Sequence, residues 1–143
     1  MIRLPMEEAV GVMTEKLMQH GCSGQKAEKT AYEMARNSLE GTYTHGINRF
    51  ARLICNIDEG IVNPEAEPEL MRVFGGLANV DGHMGLGIPN ACFAMETAIS
   101  LAKDHGVGVV GLRNTNHWMR GGHLRTSGLQ RRHGGHLLYQ HHA

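Results

Sequence analysis

Two short polar stretches carry residue types that could do chemistry on a small molecule. In GTYTHGINRF, His45 and Arg49 stand four residues apart. On a helix opening near Thr44 they would share one face. Thr44 is a natural N-cap, and the exposed amides and positive dipole end of such a helix attract an anion. There Arg49 could hold a carboxylate through two parallel hydrogen bonds, and His45, titrating near neutrality, could exchange a proton with a carbonyl or hydroxyl oxygen. Together they make a half-site for an α-keto or α-hydroxy acid. The plainer alternative is that Thr44 caps the helix, His45 satisfies a loop carbonyl and Arg49 points to water.

The second stretch, RNTNHWMRGG, collects Asn114, Asn116, His117, Trp118 and Arg120 directly after the apolar run VGVVGL. If that run is a buried strand, the cluster lies at its C-terminal end, where ligand-binding loops gather in α/β folds. Its alternative is a turn whose asparagines bond their own backbone while Trp118 plugs the core. Asp81-Gly82-His83 is a weaker third candidate, since Asp-Gly is an ordinary turn signal. GVGVVG satisfies G-x-G-x-x-G through Gly106, Gly108 and Gly111. A dinucleotide fingerprint, however, needs its glycines after a strand and at the opening of a helix. Here they follow a helical pattern and enter the strand, so a helix stop and close strand packing are expected instead. His133, His136, His141 and His142 lack a nearby cysteine or carboxylate, and no metal site is expected there.

These residues must be positioned by the surrounding elements. Met6, Val10, Met13 and Leu17 form one helical stripe, with Pro5 at its start and Gly21 at its stop. Ser23 can cap a second helix with Ala27, Ala31, Met34 or Ala35, and Leu39 inward, ending at Gly41. Ile47 to Glu59 predicts a third, with Ile47, Phe50, Ala51, Ile54 and Ile57 inward and Gly60 closing it. After the extended segment holding Pro64 and Pro68, MRVF and LANVDG predict a hairpin about Gly75 and Gly76. GIPNACFAMETAISLAKDHG predicts a helix whose Ala91, Ala94, Ala98 and Ala102 allow close packing, and a buried strand follows. The class is mixed α/β.

The 143 residues suit one domain or part of a larger one. Fourteen basic and fourteen acidic residues cancel, which argues against nucleic acid or an anionic membrane as partner. Cys22, Cys55 and Cys92 are widely spaced and expected to be reduced, buried thiols of a cytoplasmic protein. MIRLPMEEAVGV has no long apolar run, so neither a signal peptide nor a membrane span is expected there.

Taken in order, THGINRF, GIVNPEAEP, VDGHMGLG and HGVGVVGLRNTNHWMRGG resemble the non-Rossmann malate/L-lactate dehydrogenase family, most closely its 2,3-diketo-L-gulonate reductase branch. The resemblance runs from about Met6 to Gly122. It implies an NAD(P)H-dependent oxidoreductase acting on a 2-keto acid such as 2,3-diketo-L-gulonate, a homodimer, and a fold without a Rossmann fingerprint. Carried across, the family's catalytic histidine falls on His45, its carboxylate-binding arginine on Arg49 and a second active-site histidine on His117. Thr44 takes the place of a substrate-contacting hydroxyl, and Asn116 and Arg120 are further substrate-binding candidates. His45 is favoured as proton donor, with His117 polarising the carbonyl, and both rings are expected to meet around one acid.

Family members are well over twice this length, so most cofactor-binding residues are expected beyond the end of this chain. After Gly122 the family pattern gives way to HLRTSGLQRRHGGHLLYQHHA, which contains no Asp or Glu. With suitable codons, HLLYQHHA read in the neighbouring frame spells I-C-F-T-N-T-M, a family-like strand. The expectation is residues 1–122 as the N-terminal part of the reductase fold, then residues 123–143 as a frameshifted, poorly ordered tail. Such a chain, alone, is expected to be weak or inactive and to expose sheet edges. The alternative is a non-catalytic dimerisation or interaction module with a basic His/Arg-rich tail.

Overall fold

The computed structural model describes residues 4–121 and 136–139. His133, His141 and His142 lie outside the described residues, as does the rest of the expected tail apart from one strand at 136–139. The chain divides into two compact units, residues 1–65 and 66–143.

Unit 1 is helical. α1 (Met6–Gln19) packs against α2 (Gly24–Leu39), and α3 (Phe50–Asp58) follows two short 3₁₀ turns, Tyr43–His45 and Ile47–Arg49. α1 buries Met13 and Leu17 of its predicted stripe. α2 buries Ala27, Ala31, Met34 and Ala35, but Leu39 is 74% exposed, so the inner face ends one turn earlier than predicted. Ser23 occupies the N-cap position of α2 without a capping bond from its side chain. α2 also buries a second, polar stripe of Lys26, Thr30, Glu33 and Asn37. Their spacing is helical, so one side of α2 is polar and still withdrawn from water. Lys26 Nζ meets the need of its charge in part by donating to the Glu65 carbonyl at 2.9 Å. His20, just past α1, pairs with Asp58 at the end of α3 at 2.6 Å.

The third helix is shorter than predicted, and its buried residues are Leu53 and Ile57. Ile47 is exposed and Ala51 faces out. The reason lies in α2, whose side chains bind the backbone ahead of α3 and hold it in separate turns. Cys55 is exposed on α3, against the expectation of a buried thiol, while Cys22 and Cys92 are buried. Burial pushes the Cys22 thiol up from its ordinary value, opposed by the charge of Lys26.

Unit 2 is a four-stranded sheet in the order β1 (Glu69–Phe74), β2 (Leu77–Gly85), β3 (Val109–Thr115) and β4 (His136–Tyr139), with α4 (Gly87–His105) between β2 and β3 in the chain. β1 and β2 form the predicted antiparallel hairpin, and β2, β3 and β4 run parallel. α4 packs on β2 and β3, and the core joins Ala94 and Ala98 to Ala78, Val80, Val110 and Leu112. Close approach is built in by Gly108, where an added Cβ would stand 2.8 Å from the Ala98 carbonyl carbon and 2.9 Å from the Ala102 nitrogen. β1 lies at the sheet edge and is exposed along its whole length, Phe74 at 80%.

Candidate active site

The first half-site grows from the end of α2. Asn37 is buried, and its Nδ2 donates to the His45 carbonyl at 3.0 Å while its own carbonyl accepts from Thr42 N–H at 2.8 Å. One residue on, Ser38 Oγ accepts from Ile47 N–H at 2.8 Å. These bonds take the loop amides and carbonyls that a continuous helix would have used internally. Between the turns sits buried Gly46, its N–H donating to Tyr43 O at 3.2 Å and its carbonyl accepting from Arg49 N–H at 3.0 Å.

The predicted helix opening at Thr44 is therefore corrected. Arg49, not Thr44, is at the N-cap of α3, and His45 and Arg49 sit in different turns rather than on one helical face. No helix N-terminus gathers an anion at Thr44. Instead the Thr44 hydroxyl lies 2.9 Å from His45 Nδ1 in a hydrogen bond, which orients the ring. Arg49 is half-buried, and its guanidinium has neither hydrogen bond nor ion pair among the described residues. A cation in that state has its hydrogen-bond donors available to an anion.

The second half-site stands where β2 and β3 leave the regular sheet. Asp81 pairs in register with Arg113, and Gly85 with Thr115, so β2 spends four residues where β3 spends two. The surplus is a bulge in which His83 and Met84 have φ of 48° and 58°, and Asn114 opposite has 48°. Asp81, 5% exposed, lies at its root. Its carboxylate accepts from His83 N–H at 2.9 Å, from Asn114 Nδ2 at 3.0 and 3.1 Å, and from Arg113 Nε at 2.9 Å. Burial alone would raise the Asp81 pKa, but the bonds from His83, Asn114 and Arg113 and the Arg113 charge outweigh it and hold the carboxyl below its ordinary value.

That depression has a stability consequence. A carboxylate with a lowered folded-state pKa contributes stability that is complete above its unfolded value of about 3.9 and is lost as pH falls through the lower folded value. Wild-type chain is expected to lose stability through that window more steeply than Asp81→Asn, so urea midpoints of the two should converge toward low pH. Parallel curves from pH 7 to below pH 3 would contradict this.

Beyond the bulge, Asn116 Nδ2 donates to the Met84 carbonyl at 2.7 Å and the Gly85 carbonyl at 3.1 Å. Expected as a substrate contact, Asn116 has its amide hydrogens engaged in fastening its loop to β2. Asn90 of α4 fastens the same level, donating to Gly82 O and Thr115 Oγ1, both at 3.0 Å. Met119 N–H donates to His117 Nδ1 at 2.9 Å. A backbone amide only donates, so Nδ1 is the acceptor and the neutral ring carries its proton on Nε2. Trp118 is half-buried rather than a core plug, and Arg120 is exposed. His83 is exposed, 3.0 Å from Glu69, in a bulge rather than the turn its Asp-Gly signal suggested.

The G-x-G-x-x-G run forms no phosphate loop. Gly106 caps α4 with φ of 76°, Gly108 packs on α4 and Gly111 lies within β3. Among the described residues there is no cluster of three or more His, Cys, Asp or Glu able to hold a metal ion, and no helix long and apolar enough to cross a membrane.

The sequence profile of malate/L-lactate dehydrogenase matches residues 4–131. The chain belongs to the malate/L-lactate dehydrogenase family. Its match continues past Gly122, where the family-like text was expected to stop. Within the malate/L-lactate dehydrogenase family it is similar to the 2,3-diketo-L-gulonate reductase of Salmonella newport, 39% identical over 121 residues, which is 85% of this chain and 36% of that protein. The reductase of the same name from Klebsiella pneumoniae is 42% identical over 106 residues, 74% of this chain and 32% of that one. Among solved structures, the sulfolactate dehydrogenase of Methanocaldococcus jannaschii superposes with a TM-score of 0.88 at 32% identity, covering 91% of this chain and 38% of that one. The malate dehydrogenase of Pyrococcus horikoshii gives 0.85 at 29%, covering 90% and 37%. The chain thus spans about a third of the length of the relatives it matches.

Proposed function

We propose that residues of both stretches serve the NAD(P)H-dependent reduction of a 2-keto acid of the class of 2,3-diketo-L-gulonate. The observation that carries this is the half-buried Arg49 guanidinium, without a partner among the described residues, in the turn after a histidine oriented by its neighbouring hydroxyl. Arg49 binds the substrate carboxylate. His45 delivers the proton to the oxygen of the reduced carbonyl, with Thr44 holding its ring. His117 donates from Nε2–H to a substrate carbonyl oxygen as negative charge develops there, the kind of stabilisation that lowers a barrier most. Arg120 adds positive charge near the substrate. Family membership supports this reading, since the match over residues 4–131 covers both stretches.

The nicotinamide cofactor that supplies the hydride in such a reduction finds no pyrophosphate cradle in the glycine run described above. The full catalytic activity, the homodimer and a cytoplasmic location belong to this same reading. So does the frameshifted text after Gly122, which sequencing the encoding DNA in all three frames tests.

Mixed with NADH or NADPH and 2,3-diketo-L-gulonate or pyruvate, the chain alone is expected to oxidise little nicotinamide, read by absorbance. It is expected to bind oxamate, an unreactive 2-keto acid analogue, by calorimetry. Robust turnover would overturn the expected weakness of the isolated chain; no oxamate binding would overturn the assignment of Arg49.

A further inference from the structure

Two routes lead from one buried carboxylate to the second catalytic imidazole. The direct one runs through Asn114, whose Nδ2 meets both Asp81 oxygens and whose left-handed backbone, unusual for a residue with a Cβ, interrupts the regular β2–β3 ladder two residues before Asn116. The indirect one runs through the β2 bulge. Asp81 accepts from His83 N–H within it, and the bulge presents the Met84 and Gly85 carbonyls to which Asn116 is fastened. His117 follows immediately, its ring fixed by Met119, itself at φ of 66°. Three non-glycine residues in a sparsely populated conformation around one carboxylate persist only where the surroundings over-determine them.

We propose that Asp81 is the positioning residue for His117, holding the ends of β2 and β3 so that the His117 ring is presented with its proton on Nε2. The inference rests on the reading of His117 as the group that polarises the substrate carbonyl. Arg113 is not the reason Asp81 is needed: its side chain is 64% exposed, and water would solvate it if its bond to Asp81 were lost. The groups that depend on Asp81 are the His83 amide and the Asn114 amide group.

The test is a long-range proton–nitrogen correlation spectrum of the full chain with labelled histidine. Wild-type His117 is expected as the Nε2–H tautomer. In Asp81→Asn, which cannot accept from all the same donors, the ring is expected to move to a mixture of the two tautomers, with Asp81→Glu restoring part of the bias. Asn114→Ala leaves the carboxylate in place and is expected to give the same change, while Arg113→Ala leaves His117 as in wild type. An unmoved His117 in a folded Asp81→Asn or Asn114→Ala chain overturns the proposal, as does an Arg113→Ala chain that shifts equally. If Asp81→Asn does not fold, Asn114→Ala decides; if neither folds, Asp81 is a folding residue and the proposal fails. Failure of the substrate reading is separate, showing as absent oxamate binding in wild type whatever the His117 spectrum does.

Discussion

Gly46→Ala is expected to unseat His45 and to destabilise unit 1 by about 1–3 kcal/mol, the usual range for forcing a methyl group into a filled site. The new Cβ would stand 2.9 Å from the Ser38 nitrogen and 3.1 Å from the Met34 carbonyl oxygen, and closer still to Ser38 Oγ. Two of those atoms belong to the backbone of α2 and cannot swing aside. The strain falls instead on the two 3₁₀ turns, whose hydrogen bonds meet at Gly46. Urea unfolding should show the loss, and oxamate affinity should fall with it. Ser38→Ala in the same chain removes the nearest atom and should recover only part of the stability, because the backbone contacts remain. Wild-type stability in Gly46→Ala would mean that the turn is not held against α2 in this way.

Arg49→Ala is expected to weaken oxamate binding by about tenfold to about 150-fold, the effect of losing a charged hydrogen-bond partner worth about 1.5–3 kcal/mol. Stability should change little, since the guanidinium bonds to nothing among the described residues. Arg49→Lys should fall between, keeping the charge and losing the planar fork. Calorimetric titration at fixed salt separates the three. Equal affinity in all of them would move the carboxylate site elsewhere and leave His45 without a substrate beside it.

Much of this architecture could be read from periodicity. The stripes of α1 and α4, the hairpin about Gly75 and Gly76, and the misfit of GVGVVG to a phosphate loop all depend on local pattern, and local pattern decided them. What escaped depends on side chains reaching across the chain. The third helix starts late because Asn37 and Ser38 seize the backbone on either side of Gly46, and nothing in INRFARL announces that. Lys26, Thr30, Glu33 and Asn37 had no place in the predicted inner face of α2, and only packing shows them buried. Their regular spacing on one side of α2 was the available sign. Asp81 hid behind an ordinary Asp-Gly signal, because a two-residue bulge is a matter of register between strands distant in sequence. The catalytic candidates were legible by type; what holds His45 and His117 in place was not.

β1 has one further consequence. Leu70, Met71, Val73 and Phe74 offer carbon to water from a strand with β2 as its sole ladder partner among the described residues. Such a ribbon can template its own copy, and Glu69 and Arg72 are the charges on it that act as gatekeepers against fibrillar stacking. The isolated chain is therefore expected to associate faster as concentration and salt rise, because salt screens those two charges.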